Sequence, residues 1–153
     1  MFSIRSAARA LIIEDEKILA IKMQNADTTF FILPGGGQHH GETLTEALER
    51  ECLEELGIKI TILKLLYTRE YIGKNHEFDT RHHEFHQIEH VFECTLADKN
   101  TIGKGHDTDK RQIGFEWIPI AQLEQYPLLP KYIKPFLKNP IIQFPNIYLG
   151  DIN

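Results

Sequence analysis

The chain has 153 residues, 42% apolar and 25% charged, with a net charge of −5 and two cysteines. That length suits one domain able to bury a core, and the composition is that of a globular chain rather than a low-complexity or disordered one. The acidic balance and the lack of a long basic run argue against a nucleic-acid polymer as the main ligand. No apolar run is long enough to span a bilayer, and Met1 to Ala10 has no leader-like apolar core. A cytoplasmic protein without a membrane anchor is expected, with Cys52 and Cys94 as buried, reduced thiols.

In chain order, Ile4 to Ile13 and Lys17 to Met23 read as two strands joined at the polar Glu14-Asp15-Glu16, a hairpin. Phe30 to Leu33 is a short apolar strand stopped by Pro34 and three glycines. Those glycines predict a sharp turn that brings bare amides close to a ligand. A helix is predicted from Thr43 to Leu56, with Thr43 as its cap and Gly57 at its end. Ile58 to Ile72 is extended. Gly73 to Arg81 is a polar loop. Glu84 to Leu96 alternates, with His86, Ile88, His90, Phe92, Cys94 and Leu96 on one face and Glu89 and Glu93 on the other. Ala97 to Gln112 is a polar loop, and Gly114 to Ile118 a short strand holding Trp117. Two helices are predicted to follow, Pro119 to Gln125 and Pro130 to Leu137. The tail from Lys138 carries large apolar residues with room to dock on a partner, so a homodimer lies within what the sequence allows.

The chemistry concentrates in the helix. Leu44, Leu48, Cys52 and Leu56 form an apolar stripe at i, i+4 spacing. Beside it, Glu51, Glu54 and Glu55 share an arc of about 100°. Three adjacent carboxylates repel one another, and a hard cation such as Mg²⁺ neutralises such a group with oxygen ligands. Alternatively, the ridge is a solvated acidic face.

The segment Gly36 to Ile58 resembles the Nudix box. It places Gly36, Glu42, Arg50, Glu51, Cys52, Glu54, Glu55, Gly57 and Ile58 at the spacing of that motif, with Cys52 where a larger aliphatic residue is usual. The resemblance implies an α+β fold, an α/β/α sandwich in which a mixed β-sheet carries the carboxylate helix, over residues 1–153 as a single Nudix hydrolase domain. It also implies Mg²⁺, with Mn²⁺ as a substitute, and hydrolysis of the diphosphate in a nucleoside diphosphate linked to another moiety. Glu51, Glu54 and Glu55 are then the metal ligands. Glu54 or Glu51 is the base, Arg50 orients a carboxylate, and Glu42 supports it. Gly36 and Gly37 shape the substrate loop. His39 and Phe30 are further substrate contacts, to phosphate and to base. A further acid is expected from Asp107, Asp109 or Glu116.

Arg69, Lys74 and Arg81 are candidates for distal phosphates. Phe31, Tyr71 and Phe78 are candidates for stacking on a base. His76, His82, His83, His86 and His90 match no strong zinc spacing. The resemblance leaves a second function open, a nucleotide-binding sensor of the same fold without turnover. Such a protein would be expected to lose acids of the box, and this chain keeps them.

Overall fold

The computed structural model describes residues 2–76, 83–98, 102 and 111–153. Among them, strand β1 (Arg5–Glu14) turns into β2 (Lys17–Asn25), with Ile13 opposite Ile18 and Glu14 opposite Lys17. The turn residues Asp15 and Glu16 both have left-handed backbone angles, φ 49° and 59°. Two successive left-handed residues give the twist that a tight hairpin requires. β3 (Thr28–Ile32) pairs antiparallel with β2 over Ile21 to Asn25.

The three glycines do not make a loop. Gly35–Gly37 is a short strand, β4, antiparallel to β1, with Ala7 opposite Gly37 and Arg9 opposite Gly35. The reason is steric. A Cβ on Gly35 would stand 2.1 Å from the Ala8 carbonyl oxygen, so only glycine lets the chain lie this close to β1.

Helix α1 (Leu44–Leu56) starts where the sequence predicts. The Thr43 hydroxyl accepts from the Glu46 amide, and the Glu46 carboxylate accepts from the Thr43 amide, a reciprocal capping box. Its interior holds mostly straight-chain residues that lose little freedom in a helix. It ends at Gly57, at φ 64°, whose amide returns to the helix.

β5 (Ile60–Ile72) and β6 (His86–Leu96) form a long antiparallel pair, and β7 (Gln112–Pro119) pairs with β2. The strand path is β3-β2-β1-β6-β5-β8, with β1 and β6 parallel and β5 and β8 parallel. The sheet is therefore mixed. On one face lies α1, whose Leu48, Cys52 and Leu56 pack on Ala8, Ala10, Ile12, Leu19 and Ile21. On the other, Leu11, Tyr67 and Val91 meet Leu123, Leu128, Ile133 and Leu137 from the C-terminal helical turns. β1 is apolar on both faces because both faces are covered. This is the expected α+β sandwich.

The C-terminal part departs from expectation. The predicted helix at Pro119 is a 3₁₀ helix, Ile120–Gln125. The second divides into a 3₁₀ turn, Lys131–Ile133, and the short α2, Lys134–Leu137. The apolar tail, which the sequence allows to dock on a partner, returns in part to the sheet, while Ile141, Ile147 and Tyr148 stay exposed. Phe144 stacks near Tyr67 in the core, ring centroids 4.6 Å apart, and Tyr148–Asp151 forms β8 at the sheet edge. The i, i+2 signal of four residues is too short to read against a run of prolines. Both cysteines are free and buried, and no helix among the described residues is long and apolar enough to cross a membrane.

Candidate active site

Arg50 organises the carboxylate ridge. Its Nε donates to Glu42 Oε1 at 2.6 Å and its Nη2 to Glu42 Oε2 at 3.1 Å, a bidentate pair. Its Nη1 donates to Glu51 Oε1 at 3.0 Å and to Glu54 Oε2 at 3.1 Å. Nη2 also reaches the Gly37 carbonyl at 2.9 Å, tying α1 to β4. The hydrogen bond from Arg50 holds the Glu42 carboxyl down at about 2, helped by the His39 amide, while Glu42 raises Arg50 further above its ordinary value. One guanidinium thus serves three glutamates. Among the described residues, no three His, Cys, Asp or Glu side chains converge at metal-ligand spacing. Glu51 and Glu54 are turned onto Arg50 instead.

Glu55 has a different environment. It is 8% exposed. Burial pushes its carboxyl up to about 8 against the pull of Arg9, and the neighbouring Glu51 adds to the rise. It also takes a hydrogen bond from the Gly35 amide. Gly36 lies under Glu51, because a Cβ there would fall 2.5 Å from the carboxyl carbon and 2.7 Å from both oxygens. The glycine is what lets that carboxylate sit against the backbone. Glu51 and Glu55 are crowded carboxyls, and Glu54 lies beside them on the helix; oxygen groups of this kind are what Mg²⁺ prefers, but here they are held apart by Arg50 rather than converged on one point.

The other candidates are dispersed. The His39 ring is exposed and lies 3.8 Å from Glu42. Phe30 is half-buried against the core on the α1 side, and Phe31 packs edge-on against Tyr126. Glu116 sits in β7 opposite Ala20. Asp107, Asp109, Phe78, Arg81 and His82 lie outside the described residues. His86 and His90 are spent on Glu70 and Thr68, at 2.8 Å and 3.0 Å. His76 pairs with Asp151 at 2.6 Å and stacks on Tyr71.

Arg69, a candidate for distal phosphates, is buried. Its Nε donates to Glu89 Oε2 at 2.7 Å and its Nη1 to the Ile152 carbonyl at 2.6 Å. Arg9 donates to Glu89 Oε1 at 3.3 Å and to the Gly35 carbonyl at 2.7 Å. Gln87 adds a third bond to Glu89. Burial alone would raise the Glu89 carboxyl, but the two arginines overcome it and hold it at about 2. Arg9 also carries Gly35, whose amide meets Glu55, so this network sets one wall of the site. Sequence reasoning placed Glu89 on its strand face but not its role. An arginine inside the apolar run of β1 was the available signal.

A family model described as the NUDIX domain matches residues 4–140. The chain is 29% identical over 130 residues to the nucleoside triphosphatase NudI of Escherichia fergusonii, an alignment spanning 81% of this chain and 88% of that one. The NudI protein of Salmonella agona is 30% identical over 129 residues with the same coverage. The MutT NUDIX hydrolase of Burkholderia pseudomallei shares the fold, with a TM-score of 0.66 at 23% identity, over 91% of this chain and 99% of that one.

Proposed function

This chain belongs to the NUDIX domain family, as a Nudix hydrolase, and from that premise we propose that it acts as one domain, with Mg²⁺, on the phosphoanhydride of a nucleoside diphosphate carrying a further group. A terminal phosphate is one such group. The relatives that are nucleoside triphosphatases put nucleoside triphosphates first among the substrates to try. The observation that carries the reading is that one guanidinium, Arg50, ties Glu51 and Glu54 of the box together while Glu51 sits against Gly36 and Glu55 is buried beside Gly35.

Glu51, Glu54 and Glu55 would hold the cation, which when bound offsets phosphate charge and makes a coordinated water acidic. Arg50 keeps Glu51 and Glu54 oriented, and Glu42 fixes Arg50 through two hydrogen bonds. Glu54, 24% exposed at its side chain, can accept the proton of an attacking water at its free oxygen. Glu51 is the alternative base. Gly36 and Gly37 let the Glu51 carboxylate and the Arg5 guanidinium sit against the backbone of β4, beside which the diphosphate would bind. A cytoplasmic nucleotide pool fits this reading.

The test is a panel of nucleoside triphosphates and diphosphate derivatives with Mg²⁺ or Mn²⁺, run on the wild type, Glu54→Gln and Glu55→Gln. Turnover by the wild type and a loss of about 10²–10⁴-fold in Glu54→Gln are expected. Equal turnover by all three proteins would remove the carboxylates from the reaction. Nucleotide binding without any turnover would favour a sensor.

A further inference from the structure

Arg9 stands between two carboxylates. β1 runs between β4 and β6, and Arg9 lies opposite Gly35 on one side and Val91 on the other. Its Nε donates to Glu89 Oε1 on β6 at 3.3 Å, and its Nη1 donates to the carbonyls of Leu33 and Gly35 at 3.2 Å and 2.7 Å. The amide of the same Gly35 meets Glu55 on α1, and the Arg9 charge pulls on that carboxyl against the burial that dominates there. Among the described residues, the ion pair that Arg9 makes is with Glu89 and not with Glu55.

The charges give the reason. Glu89 is 5% exposed and takes Arg9, Arg69 and Gln87 on its two oxygens. Arg69 is anchored a second time, by the Ile152 carbonyl. The other acceptors of Arg9 are neutral carbonyls, so Glu89 is the charge that fixes it. Without Glu89, the carboxylate that Arg9 already acts on is Glu55. A guanidinium turned onto Glu55 would occupy the oxygens that a divalent ion needs. It would also repel that ion. Two guanidiniums against one carboxylate leave one positive charge in this cluster, and loss of Glu89 leaves two. The same added charge repels a divalent ion twice as strongly as it repels a proton, so competition with a proton does not reverse the sign.

Resting on the proposed hydrolase reading, we infer that Glu89 is a positioning residue for the cation site: by holding Arg9 toward β6 it keeps that guanidinium from pairing with Glu55, and so leaves Glu55 to the divalent ion. Glu89 touches neither the ion nor the substrate and acts through Arg9 alone.

Mn²⁺ is the probe, its binding to the nucleotide-free protein followed by electron paramagnetic resonance of the free ion. Glu89→Gln keeps the side-chain shape and should weaken Mn²⁺ by about tenfold or more. The Mg²⁺ concentration for half-maximal turnover should rise in proportion, while kcat at saturating Mg²⁺ changes less. Arg9→Gln removes the competing cation and should bind Mn²⁺ at least as tightly as the wild type. The double variant has the net cluster charge of the wild type, so its affinity should return to within about threefold of it. A network that only supports the fold would give the opposite order, with the double variant the weakest. An Mn²⁺ affinity in Glu89→Gln within about twofold of the wild type overturns the inference, as does a double variant weaker than Glu89→Gln. Should Glu89→Gln fail to fold, Arg9→Gln decides, because an affinity below that of the wild type overturns the inference as well. If the wild type binds no Mn²⁺, the hydrolase reading and this inference fall together. If the variants follow the expected order but no nucleotide is hydrolysed, the hydrolase reading alone fails and the role of Glu89 stands.

Discussion

Two buried glutamates on adjoining parts of the sandwich behave in opposite ways. Glu89, in the middle of the sheet, is held at about 2, and Glu55, on the helix beside it, is pushed up to about 8. Both are more than nine-tenths buried by surface area. The difference is the company each keeps. Glu89 has two guanidiniums and an amide on its two oxygens. Glu55 has the partial pull of Arg9, one backbone amide and a second carboxylate beside it. Burial penalises a charge in either place, and the number of cationic donors decides which form survives. Glu89 is a completed structural charge. Glu55 is under-neutralised, which is the basis for proposing it as a ligand of an added cation.

The largest expected effect breaks the first half of this comparison. Glu89→Ala leaves two arginines buried without their carboxylate and should cost about 3–5 kcal/mol in urea unfolding. A loss below 1 kcal/mol would mean that the network is dispensable. Glu55→Gln should do the reverse, raising the metal-free unfolding midpoint at pH 8 while turnover collapses. A midpoint that falls would show that the ionised carboxylate stabilises the fold.

The pH dependence sharpens the contrast, because the two groups act with opposite sign. Glu55 has a folded pKa raised from 4.5 to about 8, so its contribution is full below about pH 4.5 and is lost as pH rises through about 8. Glu89 has a folded pKa lowered from 4.5 to about 2, so its contribution is present above about pH 4.5 and is lost as pH falls toward 2. Metal-free protein should therefore weaken toward both limits. Glu55→Gln should flatten only the alkaline side, and Glu89→Gln only the acid side. Added Mg²⁺ should raise the midpoint more at pH 8 than at pH 6, since at pH 6 it must compete with a proton on Glu55. A Mg²⁺ shift independent of pH would separate Glu55 from the cation.

The smallest effect lies at the helix start. Thr43→Ala removes one side of the capping box and should cost about 1 kcal/mol, read by thermal unfolding. Turnover at low temperature should be nearly unchanged, because Arg50 and Glu42 still fix the ridge from the other end of the contact.

Much of this was legible in the chain. The helix Leu44–Leu56, its cap at Thr43, its end at Gly57 and its apolar stripe follow from local chemistry, since each depends on residues within one or two turns. The carboxylate ridge follows for the same reason. The β4 strand did not, because three glycines look like a turn until β1 lies alongside them. Arg69 looked like a surface cation because nothing near it in sequence reveals Glu89, twenty residues on. β8 was hidden in an apolar tail, since an edge strand of four residues carries little pattern of its own.

The sequence by itself determined the helix, its acids and the spacing that marks the family, all short-range properties of side-chain type and period. Only the tertiary structure decided which charges are neutralised. It set Arg9 and Arg69 on Glu89, Arg50 on Glu42, Glu51 and Glu54, and buried Glu55 short of cations. Coulomb energy depends on distance and on the surrounding medium, and strands far apart in the chain meet only when the sheet assembles.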